Sequence, residues 1–86
     1  MLLAKIFVTL KATVNDPQGQ TILGGLKSLG FQNVAQVRAG KYMEIQLEED
    51  DRDKAQVQLT AMCQKLLSNP IIEEFQFELE AIPTSP

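Results

Sequence analysis

The side chains that could do chemistry in this 86-residue chain are few, and histidine is not among them. Without it there is no usual general base near neutral pH, no imidazole for zinc and no His-dependent triad. Cys63 is the single thiol. A nucleophilic cysteine needs a partly exposed, electropositive setting and usually a base beside it. Cys63 falls instead within an apolar stripe and reads as a buried structural thiol. The run Glu48-Glu49-Asp50-Asp51-Arg52-Asp53 lacks the glycine and alternating oxygen ligands of a calcium loop, so it reads as a solvated helix start. Gly40-Lys41 lacks the upstream glycine and the following Ser or Thr of a phosphate loop. The pair Glu73 and Glu74 assembles no catalytic site with its neighbours in sequence. No catalytic, metal or cofactor site is therefore expected on this chain.

Two features remain unexplained by plain folding. Gly24 and Gly25 sit inside an apolar helical pattern, where each costs about 1 kcal/mol relative to Ala. Close approach of another backbone would account for them, at a helix crossing or a subunit contact. The turn Val14-Asn15-Asp16-Pro17-Gln18-Gly19 holds more than a helix start requires. Asp16 can accept free amide hydrogens and Pro17 needs none, but Gln18 and Gly19 leave room for a contact.

The elements that position these residues follow from periodicity. Ile6, Val8 and Leu10 alternate with Lys5, Thr9 and Lys11, the pattern of a strand with one buried face. Ile22, Leu23, Leu26 and Leu29 follow the Asp16-Pro17 start at helical spacing, and Gly30 is placed to close the helix. Val34 to Leu47 reads as two short strands around Ala39-Gly40. Ala55, Leu59, Met62, Cys63 and Leu66 form a second helical stripe. Asp51 and Asp53 favour its start electrostatically, and Asn69-Pro70 stops it. Phe75, Phe77 and Leu79 alternate with Glu74, Gln76, Glu78 and Glu80 as a last strand.

The order β-α-β-β-α-β predicts an α+β fold of ferredoxin-like element order, with two helices on one face of an antiparallel sheet. The other face would carry Lys5, Phe7, Thr9, Lys11, Tyr42, Glu44, Gln46, Gln76, Glu78 and Glu80, with no helix left to cover it. A chain this short has a thin core and gains from association, so a homo-oligomer pairing through the sheet is expected. Residues 1–82 read as a single domain and 83–86, with two prolines, as a flexible tail.

Charge narrows the partners. The formal net charge is −3, which repels a phosphate backbone. Arg38-Ala39-Gly40-Lys41-Tyr42 also misses the aromatic consensus of RNA-recognition domains that share this element order. The charge is divided: residues 1–43 carry five basic and one acidic side chain, residues 44–86 three basic and ten acidic. The two halves are therefore expected to pair within one chain or across subunits. No apolar run approaches the roughly 18–20 residues that span a bilayer, and a lone cysteine suits a reducing compartment. The expectation is a soluble cytoplasmic protein with neither nucleic acid nor membrane as partner.

Val8-Thr9-Leu10-Lys11, Asp16-Pro17-Gln18-Gly19, Leu29-Gly30, Val37-Arg38-Ala39-Gly40-Lys41 and Leu66-Leu67-Ser68-Asn69-Pro70-Ile71-Ile72-Glu73-Glu74-Phe75 together resemble the PurS family. These are the small subunits of phosphoribosylformylglycinamidine synthase. The resemblance runs in order from about Ala4 to Leu79. Asn15 stands where relatives commonly carry Leu, and the tail is longer and contains proline.

The resemblance implies a part in purine biosynthesis, where formylglycinamide ribonucleotide, glutamine and ATP give the formylglycinamidine. It implies that ATP and magnesium belong to the synthetase subunit PurL and that the glutaminase subunit PurQ releases ammonia. The small subunit is then a non-catalytic homodimeric or homotetrameric adaptor between them, supporting ammonia transfer. Asp16, Pro17, Gln18, Gly19, Arg38, Gly40 and Lys41 are the candidate partner-contact residues. The alternative from another class is a stand-alone ACT-like regulatory domain binding a small metabolite between subunits.

Overall fold

The computed structural model describes residues 1–83. In chain order the elements are β1 (Leu2–Leu10), α1 (Pro17–Ser28), β2 (Gly40–Leu47), α2 (Arg52–Met62), a π-helical turn (Cys63–Leu67) and β3 (Glu73–Ala81). The strands form one antiparallel sheet in the order β2-β1-β3. β1 is central, so its register is set on both sides: Lys5 lies opposite Glu44 and Glu78, and Phe7 opposite Tyr42 and Gln76. Its period-two pattern buries Leu2, Ala4, Ile6 and Val8. A slip of one residue would turn all four to water.

α2 covers this face. Ala4, Ile6 and Val8 pack with Leu59 and Cys63, and Met43, Ile45, Leu47, Phe75, Phe77 and Leu79 close around them half-buried. The α+β architecture expected from the sequence is thus present. Asp51 caps α2 by accepting the Asp53 amide at 2.9 Å, and Ala55, Leu59 and Cys63 are buried as their spacing predicts. Leu66 is a correction. It belongs to the predicted stripe yet is 83% exposed, because the helix widens after Met62. The Ser68 amide donates to the Cys63 carbonyl, an i to i+5 bond of 2.9 Å, which shifts the register by one residue. Leu67 packs against the core in its place.

Two further expectations are corrected. The first strand of the predicted pair around Ala39-Gly40 does not form, and residues 34–39 belong to no ladder. A two-residue hairpin there would require positive φ at its centre, and Gly30, at φ 101°, is the one positive-φ residue among those described. The Ala39 amide is instead taken by a side chain, described below. Helix α1, predicted to lie beside α2 on the sheet, contributes nothing to the core: of its 12 residues only Gly19 is buried. Gly24 and Gly25 give that helix no side chains to bury, and a Cβ at either would meet nothing within 4 Å. No close backbone approach among the described residues explains them.

The chain is accordingly elongated. Its radius of gyration is 16.7 Å, against about 12 Å for a compact chain of this length. It leaves the sheet along α1, turns at Gly30 and returns to β2, so α1 and the return segment make a projecting arm. Of the predicted flexible tail 83–86, residues 84–86 lie outside those described.

Candidate interface at the base of the α1 arm

The carboxylate of Asp16 occupies the point where the arm meets the sheet. One oxygen, Oδ1, accepts the Gly19 amide at 2.9 Å and caps α1. The other, Oδ2, accepts the Ala39 amide at 2.8 Å, from 23 residues further along. These two amides, Gly19 foremost, hold the Asp16 carboxyl below the usual aspartate value. Gly19 faces the returning backbone so closely that a Cβ would lie 2.3 Å from the Val37 carbonyl oxygen. Asn15, exposed beside this turn, accepts from the Gln20 side chain at 2.7 Å.

Gly40 has a role the sequence did not reveal. It pairs with Thr9 in the sheet, and a Cβ there would lie 2.4 Å from the Val8 carbonyl oxygen. Close approach within the ladder, rather than a hairpin turn, explains that glycine. Asp16, Gln18, Gly40 and Lys41 line one cleft of about 190 Å³, joined by Val8, Leu10, Ala39 and Glu73. Arg38 lies on the other side of Asp16, along a recess of about 280 Å³ shared with Asn15, Gln20 and Gln36. The predicted residues therefore cluster, with Asp16 as the partition between two concavities. A wider depression of about 490 Å³ lies on the outer side of α2 along Val57 and Ala61; its lining comes from one helix and its π-helical extension, so it is an open flank.

Glu73 and Glu74, read from the sequence only as a carboxylate pair without a task, join this site from β3. Lys41 Nζ lies 3.8 Å from Glu73 and the Arg38 guanidinium 3.7 Å from Glu74. Strand order brings them there: Val8 and Thr9 face Lys41 and Gly40 on one side, and Phe75 and Glu74 on the other. A reading that placed β1 between β2 and β3 would have found them. The ion pairs among the described residues, with Lys5–Glu80 at 2.9 Å and the N-terminus with Asp50, all join the basic half to the acidic half. Intrachain pairing thus accounts for much of the charge division, though half-exposed pairs of this kind contribute little each.

The outer sheet face is polar with a small aromatic centre. Phe7 and Tyr42 meet with ring centroids 5.1 Å apart, and the Tyr42 hydroxyl donates to Glu44 at 2.8 Å. That bond raises the Tyr42 pKa above its usual value. Burial raises that of the Cys63 thiol, the opposite of what nucleophilic use requires. No helix among the described residues is long and apolar enough to cross a membrane.

Comparison with known proteins settles the family. Residues 3–81 match the family model described as PurS, phosphoribosylformylglycinamidine (FGAM) synthase. The chain belongs to the PurS family. The PurS subunit of FGAM synthase from Synechocystis sp. is 46% identical over 78 residues, 91% of this chain and 78% of the relative. The structure of Bacillus subtilis PurS superposes with a TM-score of 0.85 at 43% identity, covering 94% of this chain and all of that one. The PurLQS complex of Thermotoga maritima contains a chain with a TM-score of 0.81 at 28% identity, covering 93% of this chain and 99% of that one. PurS is a subunit of FGAM synthase, an enzyme of purine biosynthesis. The resemblance seen in the sequence motifs is correct, and the ACT-like alternative is not favoured.

Proposed function

We propose that this chain is the non-catalytic small subunit of FGAM synthase. It bridges the synthetase subunit PurL and the glutaminase subunit PurQ and supports the passage of ammonia between them. ATP and magnesium act on the synthetase subunit, and the glutaminase supplies its own nucleophile. The observation that carries the reading is the arm. An 86-residue chain that leaves Ile22, Leu29 and Phe31 42%, 76% and 54% exposed on a projecting arm is built to be covered by protein. We place a second copy there first, giving a homodimer or homotetramer in the cytoplasm. The sheet edges of β2 and β3, open on their outer sides, offer further pairing.

Gln18, Arg38 and Lys41 are the partner contacts in this proposal, because their side chains line the two concavities beside Asp16, with Arg38 and Lys41 held there by Glu74 and Glu73. Asp16, Pro17, Gly19 and Gly40 shape the surface that presents them. Reconstitution with the matching synthetase and glutaminase, ATP, magnesium and formylglycinamide ribonucleotide tests the function. Glutamine-driven turnover should collapse when this chain is omitted, while turnover driven by free ammonium should persist. Equal glutamine-driven rates with and without the chain would refute the bridging role. Unchanged assembly with Arg38→Ala and Gln18→Ala would refute the contact assignment alone.

A further inference from the structure

We propose that Asp16 is a positioning residue whose two carboxylate oxygens clamp the base of the α1 arm and so set the direction in which the arm leaves the sheet. The chain departs from β1 and returns to β2 across one narrow junction, and Asp16 ties its two sides together. An ordinary helix cap requires one acceptor. Here Oδ1 satisfies the Gly19 amide at 2.9 Å and Oδ2 reaches the Ala39 amide at 2.8 Å on the returning segment. Gly19 completes the clamp from the other side. The first turn of α1 can lie against the Val37 carbonyl only because residue 19 has no Cβ, which would stand 2.3 Å from that oxygen. The depressed Asp16 pKa, caused by the same two amides, fits this geometry.

Direction matters because little beyond the clamp holds the helix. Past the first turn only Leu23 and Leu26 are half-buried, and the rest of α1 is exposed. Twelve residues make a lever of about 18 Å, so a tilt of about 20° at the base would move its tip by about 6 Å. An interface formed by Ile22, Leu29 and Phe31 would not survive that displacement. The consequence for assembly rests on the small-subunit reading above; the direction of the arm does not.

The test separates clamping from capping. Asp16→Ser keeps a hydroxyl that can cap the Gly19 amide but cannot bridge to Ala39, whereas Asp16→Ala loses both bonds. Amide exchange in the full chain should show Gly19 protected in Asp16→Ser while Ala39 exchanges about tenfold faster or more. Spin labels at Ser28→Cys and Glu78→Cys, diluted into unlabelled protein, should report a shifted or broadened distance in both Asp16 variants. Gly19→Ala, which keeps the carboxylate, should shift the same distance. If Asp16→Ser matches the wild type in Ala39 exchange and in distance, and only Asp16→Ala departs, Asp16 is a simple cap and the proposal is wrong. Failure of the wild type to support glutamine-driven turnover would count against the subunit reading instead, and would leave the distances unchanged.

Discussion

Replacing the exposed apolar side chains of the arm should abolish self-association without unfolding the chain. The perturbation is Ile22→Ser, Leu29→Ser and Phe31→Ser together. Full burial of such a side chain is worth about 1.5–3 kcal/mol. Scaled by exposures of 42%, 76% and 54%, the three contribute about 0.6–1.3, 1.1–2.3 and 0.8–1.6 kcal/mol on being covered. For each arm covered at the interface the loss is about 2.5–5 kcal/mol, so the substitutions weaken the dissociation constant roughly 60- to 4,000-fold even where only one arm is covered. Because none of the three belongs to the core cluster, far-UV circular dichroism of the dissociated chain should be unchanged. Sedimentation equilibrium over a dilution series measures the association directly. A dissociation constant that moves by less than about tenfold would refute the assignment of the arm as the self-association surface.

Other outcomes follow from the same geometry. At equal protein concentration, Leu67→Ala should lower stability to urea by about 2 kcal/mol, and Leu66→Ala by less than about 0.5 kcal/mol; the reverse ranking would contradict the π-helical register. Gly40→Ala forces a Cβ against the Val8 carbonyl and should cost about 1–3 kcal/mol, whereas Gly24→Ala, in open space, should leave the unfolding midpoint equal or higher. The Asp16 pKa is lowered by the Gly19 and then the Ala39 amide. Its contribution to stability is therefore complete above the ordinary aspartate pKa and is lost as pH falls through the lowered one. The Gly19 and Ala39 amide signals should titrate together, below the midpoint of free aspartate, and an ordinary midpoint would speak against the shared carboxylate. Lys5, raised chiefly by its bond to Glu80, behaves oppositely: its contribution is complete below the ordinary lysine pKa and fades as pH rises through the raised one.

Local pattern made much of this molecule legible before any fold was known. Alternation in β1 and β3, the Asp16-Pro17 start of α1, the Gly30 close and the Ala55-Leu59-Cys63 stripe all appear where periodicity and capping place them. The lack of histidine and the burial of Cys63 were equally plain from residue types and spacing. Each of these properties depends on neighbours within one or two turns of chain, so the residues alone determined them.

The remaining features depend on partners far apart in sequence. The Asp16 carboxylate bonds an amide 23 residues away, and Gly40 is required by a carbonyl on β1. Glu73 and Glu74 reach Lys41 and Arg38 because β1 lies between their strands. The widening after Met62 turned Leu66 outward although its spacing in a regular helix was faultless. The departure of α1 from the sheet depends on what the rest of the chain already covers. Periodicity identifies which face of an element is apolar; whether its own chain or another protein buries that face depends on long-range packing, which spacing along the sequence does not encode.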